Sequence, residues 1–261
     1  MQVTEEKKQD GDLCKLAAFY HDVFRAQKQA LLSNDDQAPS LNLEEALSRA
    51  QDGLAALSLD RLQSLGEAFP HLIDDLCQVM DRHGLLDEAD LMALRAAQTD
   101  SDRRKAVVER WLSGDAGSEP SDFLVSAAVF PWLSSQAEML LPHLNLALWQ
   151  KGICPICGAE PSFAAIARQS RLRSLLCTRC GTEWPFKRIG CPYCGNDDQD
   201  LQAYYVLQDG RYRVCVCEKC QRHLKAIDLA FVNSEHVSLL VESLLSGWLD
   251  EAADAVQRSK A

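Results

Sequence analysis

Four Cys-x-x-Cys pairs within 67 residues constrain the fold of this 261-residue chain more than any other feature. They occur in ICPICG (153–158), CTRCG (177–181), GCPYCG (190–195) and CEKC (217–220). A tight turn brings both sulfurs of one pair to the same side, so two pairs can hold one tetrahedral ion. Proline presets φ in two of these turns, and glycine allows a positive φ after three of them. Because the polar N-terminus does not resemble a secretory signal, the pattern predicts metal sites rather than disulfides.

An internal repeat indicates which pairs share an ion. RLRSLLC (171–177) and RYRVCVC (211–217) align without a gap. Each follows a Cys-x-x-Cys turn, here called a knuckle, that contains proline. The unit is therefore CPxCG, a hairpin, RxRxxxC and a second knuckle, and it occurs twice. This predicts two consecutive rubredoxin-like or zinc-ribbon-like modules with ligands taken in chain order, while an interleaved cross-brace is the alternative. The predicted ligands are Cys154, Cys157, Cys177 and Cys180 for one ion, and Cys191, Cys194, Cys217 and Cys220 for the other.

The remaining cysteines have other expected roles. Cys215 aligns with Leu175 in the repeat, so it is predicted to be a buried apolar residue rather than a ligand. Cys14 and Cys77 fall on helical stripes and are expected in the core. His223 lies three residues after the last ligand and is a candidate for contact with a ligating sulfur.

Basic residues precede the second knuckle of each unit. Strand alternation places them on the face opposite the apolar side chains. One interpretation is a solvated strand face; the other is a cationic surface that offsets the thiolates or binds a partner. The candidate partner-binding residues are Arg171, Arg173, Arg211 and Arg213.

The rest of the chain is predicted to be helical. Apolar residues recur at helical spacing from about residue 12 to 149, with Trp132 and Trp149 expected in the core. Pro131 and Pro142 predict two or three short helices between 123 and 149. An amphipathic helix is predicted over 234–256, with Ser234 as its N-cap. The predicted class is α+β: a helical domain (1–150), two metal ribbons (151–190 and 191–230) and a C-terminal helix (231–261).

The charge distribution disfavours nucleic acid as a partner. Residues 1–149 have 13 Lys/Arg against 25 Asp/Glu, whereas residues 150–230 have 12 against 8. An acidic half discourages a broad phosphate-binding surface. The polar N-terminus and the lack of a continuous apolar run of about 20 residues predict an intracellular protein without membrane insertion.

The four pairs, GTEW with the basic and apolar run that follows it (181–190), and HLK (223–225) resemble the FdhE family of formate dehydrogenase accessory proteins. The resemblance implies a cytoplasmic, non-enzymatic maturation factor. Its partner would be the catalytic subunit of a molybdenum- or tungsten-dependent respiratory formate dehydrogenase. It also implies two rubredoxin-type iron ions at the eight cysteines, with zinc as the other possible metal.

Two other function classes stay open at this point. One is a zinc-ribbon protein that binds nucleic acid, and the other is a rubredoxin-like electron carrier. The sequence has no phosphate loop, no G-x-S-x-G and no HExxH, so no catalytic residue is predicted.

Overall fold

Within the described residues, most of the stretch that the sequence predicts to be helical does form helices. The computed structural model describes residues 2–33, 41–58, 70–113, 120–207, 210–234, 236–251 and 253. The chain divides into two compact units, Met1–Asn42 with Leu57–Gln136, and Leu43–Ala56 with Ala137–Ala261. The described residues up to Leu140 form the helices α1 (Gln2–Ser33), α2 (Leu43–Gln51), α3 (Pro70–Arg82), α4 (Glu88–Thr99), α5 (Ser101–Ser113) and α6 (Pro120–Leu140).

The core of the first unit includes the contact between α1 and α3. Phe19 and Val23 of α1 are buried, and so are Leu72 and Leu76 of α3. Cys14 is exposed, so its predicted core position is wrong. It lies nine residues before Val23, which is two and a half helical turns, and therefore faces the opposite side of α1.

Helix α6 continues through Pro131, where the sequence predicted a break. A proline inside a helix leaves the carbonyl four residues earlier without its usual donor. That carbonyl belongs to Ala127, and it accepts a hydrogen bond of 2.7 Å from Nε2 of the buried Gln27 in α1. The side chain thus supplies the donor that proline removes. Pro142 does end the α-helical stretch, since Leu141–His143 is a 3₁₀ turn.

The stretch Pro120–His143 is long and apolar enough to cross a membrane by length and composition. Within the protein, 61 % of the most apolar 18-residue segment of this stretch is buried. Trp132, which lies in this stretch, is 4 % exposed, and Trp149 beyond it is 8 % exposed, so both are core residues as predicted. This degree of burial fits a core helix.

One six-stranded sheet contains both predicted ribbons. Its strands are β1 (Phe163–Ile166), β2 (Arg173–Leu176), β3 (Glu183–Phe186), β4 (Gln202–Leu207), β5 (Tyr212–Cys217) and β6 (Arg222–Asp228). The order is β3-β2-β1-β6-β5-β4. Neighbouring strands within each ribbon are antiparallel, whereas β1 and β6 pair in parallel, with Phe163 opposite Lys225. This parallel joint was not predicted from the sequence.

The C-terminal helix covers one face of the sheet. Helix α7 (Leu239–Leu245) contributes Leu239 to a buried cluster that includes Phe163 and Val214. Its N-cap is Ser238, whose hydroxyl accepts from the N–H of Val241, and not Ser234 as predicted. The predicted residues 254–256 lie outside the described part of the chain. The predicted fold class, with a helical N-terminal part, a sheet with two cysteine clusters and a C-terminal helix, is confirmed.

Candidate metal centre

The first cysteine cluster lies where the knuckles before β1 and after β2 meet. The sulfur of Cys154 is 3.5 Å from that of Cys180, and the sulfur of Cys157 is 3.5 Å from that of Cys177. All four sulfurs lie within 4.8 Å of one another. All four residues are buried, with no more than 2 % of any of them exposed.

The second cluster repeats this arrangement between the knuckles before β4 and after β5. The sulfur of Cys191 is 3.6 Å from that of Cys220, and the sulfur of Cys194 is 3.7 Å from that of Cys217. Within each cluster, the four cysteines come from consecutive knuckles. The structure therefore groups the cysteines in chain order, and not as a cross-brace.

These sulfur separations suit a tetrahedral ion. A disulfide would require about 2.05 Å between sulfurs, and all eleven cysteines are free thiols. Four thiolates at a metal–sulfur distance of about 2.3 Å in a tetrahedron are about 3.8 Å apart. The closest contacts, 3.5–3.7 Å, are near this value. The residues present therefore fit a metal ion at each cluster.

The four knuckles share one backbone conformation. In each of them, the N–H after the second cysteine donates to the carbonyl of the first cysteine, at 2.8–3.0 Å. The residue that donates has a positive φ: 73° at Gly158, 74° at Gly181, 73° at Gly195 and 59° at Gln221. Glycine adopts this region without steric cost, whereas Gln221 does not. The turn geometry that the glycines predicted thus holds even in the knuckle that lacks one.

The two clusters differ in their access to solvent. Every cysteine of the first cluster is buried, whereas Cys194 of the second is exposed and Cys220 is half-buried. An ion in the first cluster would be shielded by protein, and an ion in the second would be reachable by small molecules at one side.

Without an ion, the thiols perturb one another. Hydrogen bonds from Cys154, Cys157 and Cys177 hold the pKa of Cys180 well below its usual value. Burial raises the pKa of Cys217, but hydrogen bonds from the backbone N–H groups of Cys220 and Lys219 bring it down to about 7. Metal binding must release the protons that the thiols carry.

Two side chains that the sequence did not predict touch the clusters. The hydroxyl oxygen of the buried Thr182 lies 3.1 Å from the sulfur of Cys180, and Nε2 of Gln202 lies 3.6 Å from the sulfur of Cys217. Such donors orient and stabilise ligating thiolates. For Thr182 a signal was available, because it stands two residues after a ligand. His223 instead contacts Asp250, with 3.4 Å between Nε2 and Oδ1.

Asp228 at the end of β6 joins the two ribbons. Its buried carboxylate accepts two hydrogen bonds of 2.6 Å from Arg171 of the first ribbon and one from Arg213 of the second. The N–H of Ala230 donates to it as well, at 3.1 Å. Burial raises the pKa of Asp228, but the hydrogen bonds and both guanidinium charges bring it below its usual value. Two of the four predicted partner-binding arginines are thus engaged in ion pairs with Asp228, while their side chains stay partly exposed.

The other two arginines lie apart from this network. Arg211 donates to Oε1 of Glu242 on α7 at 2.7 Å. Arg173 is 4 % exposed, so it does not lie on a solvated strand face; its Nη2 donates to the carbonyl of Gly190 at 2.6 Å. The structure does not bring the four arginines together on one open surface. Their role in partner binding stays a prediction.

Comparisons with known proteins place these features in a family. The FdhE central domain matches residues 153–188, which include the first cluster. An FdhE homologue of Pseudomonas aeruginosa is 30 % identical over 258 residues, covering 92 % of this chain and 78 % of the relative. One of Aquifex aeolicus is 26 % identical over 201 residues, covering 74 % and 68 %. The crystal structure of the FdhE protein from Pseudomonas aeruginosa matches with a TM-score of 0.66 and 28 % identity, over 90 % of this chain and 82 % of that one. The chain belongs to the FdhE family.

Proposed function

We propose that this protein is a non-enzymatic maturation factor for a formate dehydrogenase. It acts in the cytoplasm, and its client is the catalytic subunit of a respiratory enzyme. The observation that supports the proposal best is the pair of four-cysteine clusters in a chain of the FdhE family. The link to formate dehydrogenase rests on the family resemblance of the sequence.

The eight cysteines of the two clusters would hold two metal ions. Zinc would brace the fold without redox chemistry, whereas iron would add a one-electron couple. In either case the thiolates tie together the two knuckles at the end of each hairpin. We propose iron of the rubredoxin type, as the resemblance implies, with zinc as the other metal that fits.

The charge of the chain supports a protein client rather than nucleic acid. The ribbons carry four more Lys/Arg than Asp/Glu residues over 150–230. Two tetrathiolate centres with divalent ions add four negative charges, which cancel this excess. The helical half is acidic, with 25 Asp/Glu against 13 Lys/Arg over residues 1–149. A surface of this kind repels phosphate backbones.

Anaerobic purification followed by elemental analysis and an absorption spectrum tests the metal sites. We expect two ions for each chain and, with iron, the visible sulfur-to-iron bands of a ferric tetrathiolate after oxidation. Zinc would give two ions without visible bands. A protein that contains no metal would contradict the proposal.

A pull-down from formate-grown cells tests the client. The protein should capture a formate dehydrogenase catalytic subunit, and Cys191→Ser should abolish the capture because it removes a ligand. Cys215→Val is the matched control: Cys215 is 7 % exposed, occupies the apolar repeat position and belongs to neither cluster. Capture of nucleic acid with no catalytic subunit would favour the ribbon alternative.

A second candidate function is a rubredoxin-like electron carrier, favoured by the exposed Cys194. An exposed ligating sulfur gives electrons a short path between solvent and metal. A reversible one-electron couple that a cellular reductase turns over rapidly would support this function over maturation.

A further inference from the structure

Arg173 differs from the other arginines of the repeat because the described part of the chain offers it no acidic partner. Arg171 and Arg213 pair with Asp228, and Arg211 pairs with Glu242. Among the described residues, no carboxylate lies within ion-pair distance of the Arg173 guanidinium, although Arg173 is only 4 % exposed. A buried cation without a counter-charge is strongly destabilising. A negative charge other than a carboxylate must therefore compensate the guanidinium of Arg173.

The contacts of Arg173 lead to the second metal cluster. Its Nη2 donates to the carbonyl of Gly190 at 2.6 Å, and Gly190 directly precedes the ligand Cys191. The backbone of Gly190 has a φ of 140°, which a side chain would strain. The guanidinium also lies 5.1 Å from the ring centre of Phe186, the last residue of β3. Arg173 therefore fixes the path of the chain from β3 into the third knuckle.

The negative charge of the second cluster with a bound metal ion would compensate the positive charge of Arg173. Four thiolates around one divalent ion carry two net negative charges, and around a ferric ion they carry one. Burial lowers the pKa of Arg173, while Cys215, Tyr204 and Cys191 raise it when they are ionised. Of these three, Cys191 is the proposed metal ligand, and it directly follows Gly190, whose carbonyl accepts the hydrogen bond from Arg173.

We propose that Arg173, a residue of the first ribbon, is a positioning residue for the metal ion of the second. It holds the backbone at the start of the third knuckle and supplies the cation that balances the tetrathiolate. This inference rests on the proposed metal binding. It also means that the second site is complete only when the first ribbon is folded beside it.

The test measures how fast each cysteine of the zinc-loaded, full-length protein is alkylated by N-ethylmaleimide in the presence of a chelator. Peptide mapping by mass spectrometry separates the two clusters. Loss of a residue that supports metal ligands typically weakens metal affinity by about 10–100-fold. In Arg173→Met we therefore expect the second-cluster cysteines to react about ten times faster or more, and the first-cluster cysteines to react at the wild-type rate. Arg173→Lys keeps the charge and should restore part of the protection.

Arg213→Met is the matched control. Arg213 occupies the equivalent position of the repeat and lies in the second ribbon itself, but it pairs with Asp228. If general weakening of the ribbon exposed the cluster, this variant would show the effect more strongly than Arg173→Met. Equal rates in both variants, or equal loosening of both clusters in Arg173→Met, would overturn the inference. The unchanged rate at the first cluster also verifies that Arg173→Met is folded. Wild-type protein that retains neither zinc nor iron at either cluster would instead refute the proposed metal binding on which the inference rests.

Discussion

The hydrogen bond between Gln27 and the carbonyl of Ala127 leads to a double-mutant prediction. The carbonyl is buried in α6 and lacks its helical donor because residue 131 is proline. In Gln27→Met the side chain keeps its length and loses the donor. A buried acceptor left without a partner costs about 1–3 kcal/mol. Because methionine adds apolar contact, we expect a loss of about 2 kcal/mol in the free energy of unfolding.

In a Pro131→Ala background the same substitution should be nearly neutral. The restored N–H at position 131 can donate to the Ala127 carbonyl, so the amide of Gln27 is no longer needed. We expect Gln27→Met to cost less than about 0.5 kcal/mol there, which gives a coupling free energy of about 1.5 kcal/mol. Urea unfolding of the metal-loaded protein, monitored by far-UV circular dichroism, measures the unfolding free energies of the wild type, the two single variants and the double variant.

A matched control is Gln136→Met, because Gln136, like Gln27, is a buried glutamine, and it lies in α6 itself. Among the described residues its Oε1 has no hydrogen-bond partner. Its substitution should have the same effect with and without Pro131→Ala. If Gln27→Met costs the same in both backgrounds, the side chain does not replace the donor that proline removes, and our explanation of the unbroken helix is wrong.

Three further predictions concern the ribbons. Asp228→Asn should lower the free energy of unfolding by about 3 kcal/mol at neutral pH, measured by urea unfolding. Because the pKa of Asp228 is lowered in the folded protein, this difference in unfolding free energy from wild type should disappear as the pH falls below about 4. Gln221→Gly should raise the melting temperature, because glycine adopts the positive φ of residue 221 without steric cost. The net gain in unfolding free energy is about 0.5 kcal/mol, since glycine also loses more backbone entropy on folding. Gln221→Ala should not raise the melting temperature. A chelator should remove the ion near the exposed Cys194 before the ion near the buried Cys154, so that metal release has two phases; release in a single phase would show that burial does not control it.

Local turn chemistry is what made the metal centre predictable. Each knuckle is specified by a few adjacent residues, and the repeat of CPxCG and RxRxxxC set the order of the pairs. Cys215 was identified as a buried residue of the sheet because it aligns with Leu175, and both are buried. These inferences needed no knowledge of distant contacts.

The features that the sequence did not reveal depend on residues far apart in the chain. Gln27 and Pro131 are separated by about a hundred positions, so nothing local shows that the amide compensates for the proline. The partner of Arg171 was equally hidden, because Asp228 meets Arg171 only after β1 and β6 pair. The contact between Arg213 and Asp228 forms within the β5–β6 hairpin, but the repeat did not indicate it. Alternation correctly set Arg173 and Arg213 apart from the buried Leu176 and Val214, but Arg171 and Arg211 lie outside the strands, and alternation could not show that Arg173 is covered.

The parallel pairing of β1 with β6 delays the completion of the sheet while this protein is being synthesised. The first ribbon is complete at Phe186, whereas β6 ends at Asp228, 42 residues later. Until the ribosome has released those residues, β1 presents an uncovered strand edge, which invites pairing with other nascent chains. A polypeptide cut short after the third knuckle would keep that edge permanently, and it should aggregate even though its first cluster is intact.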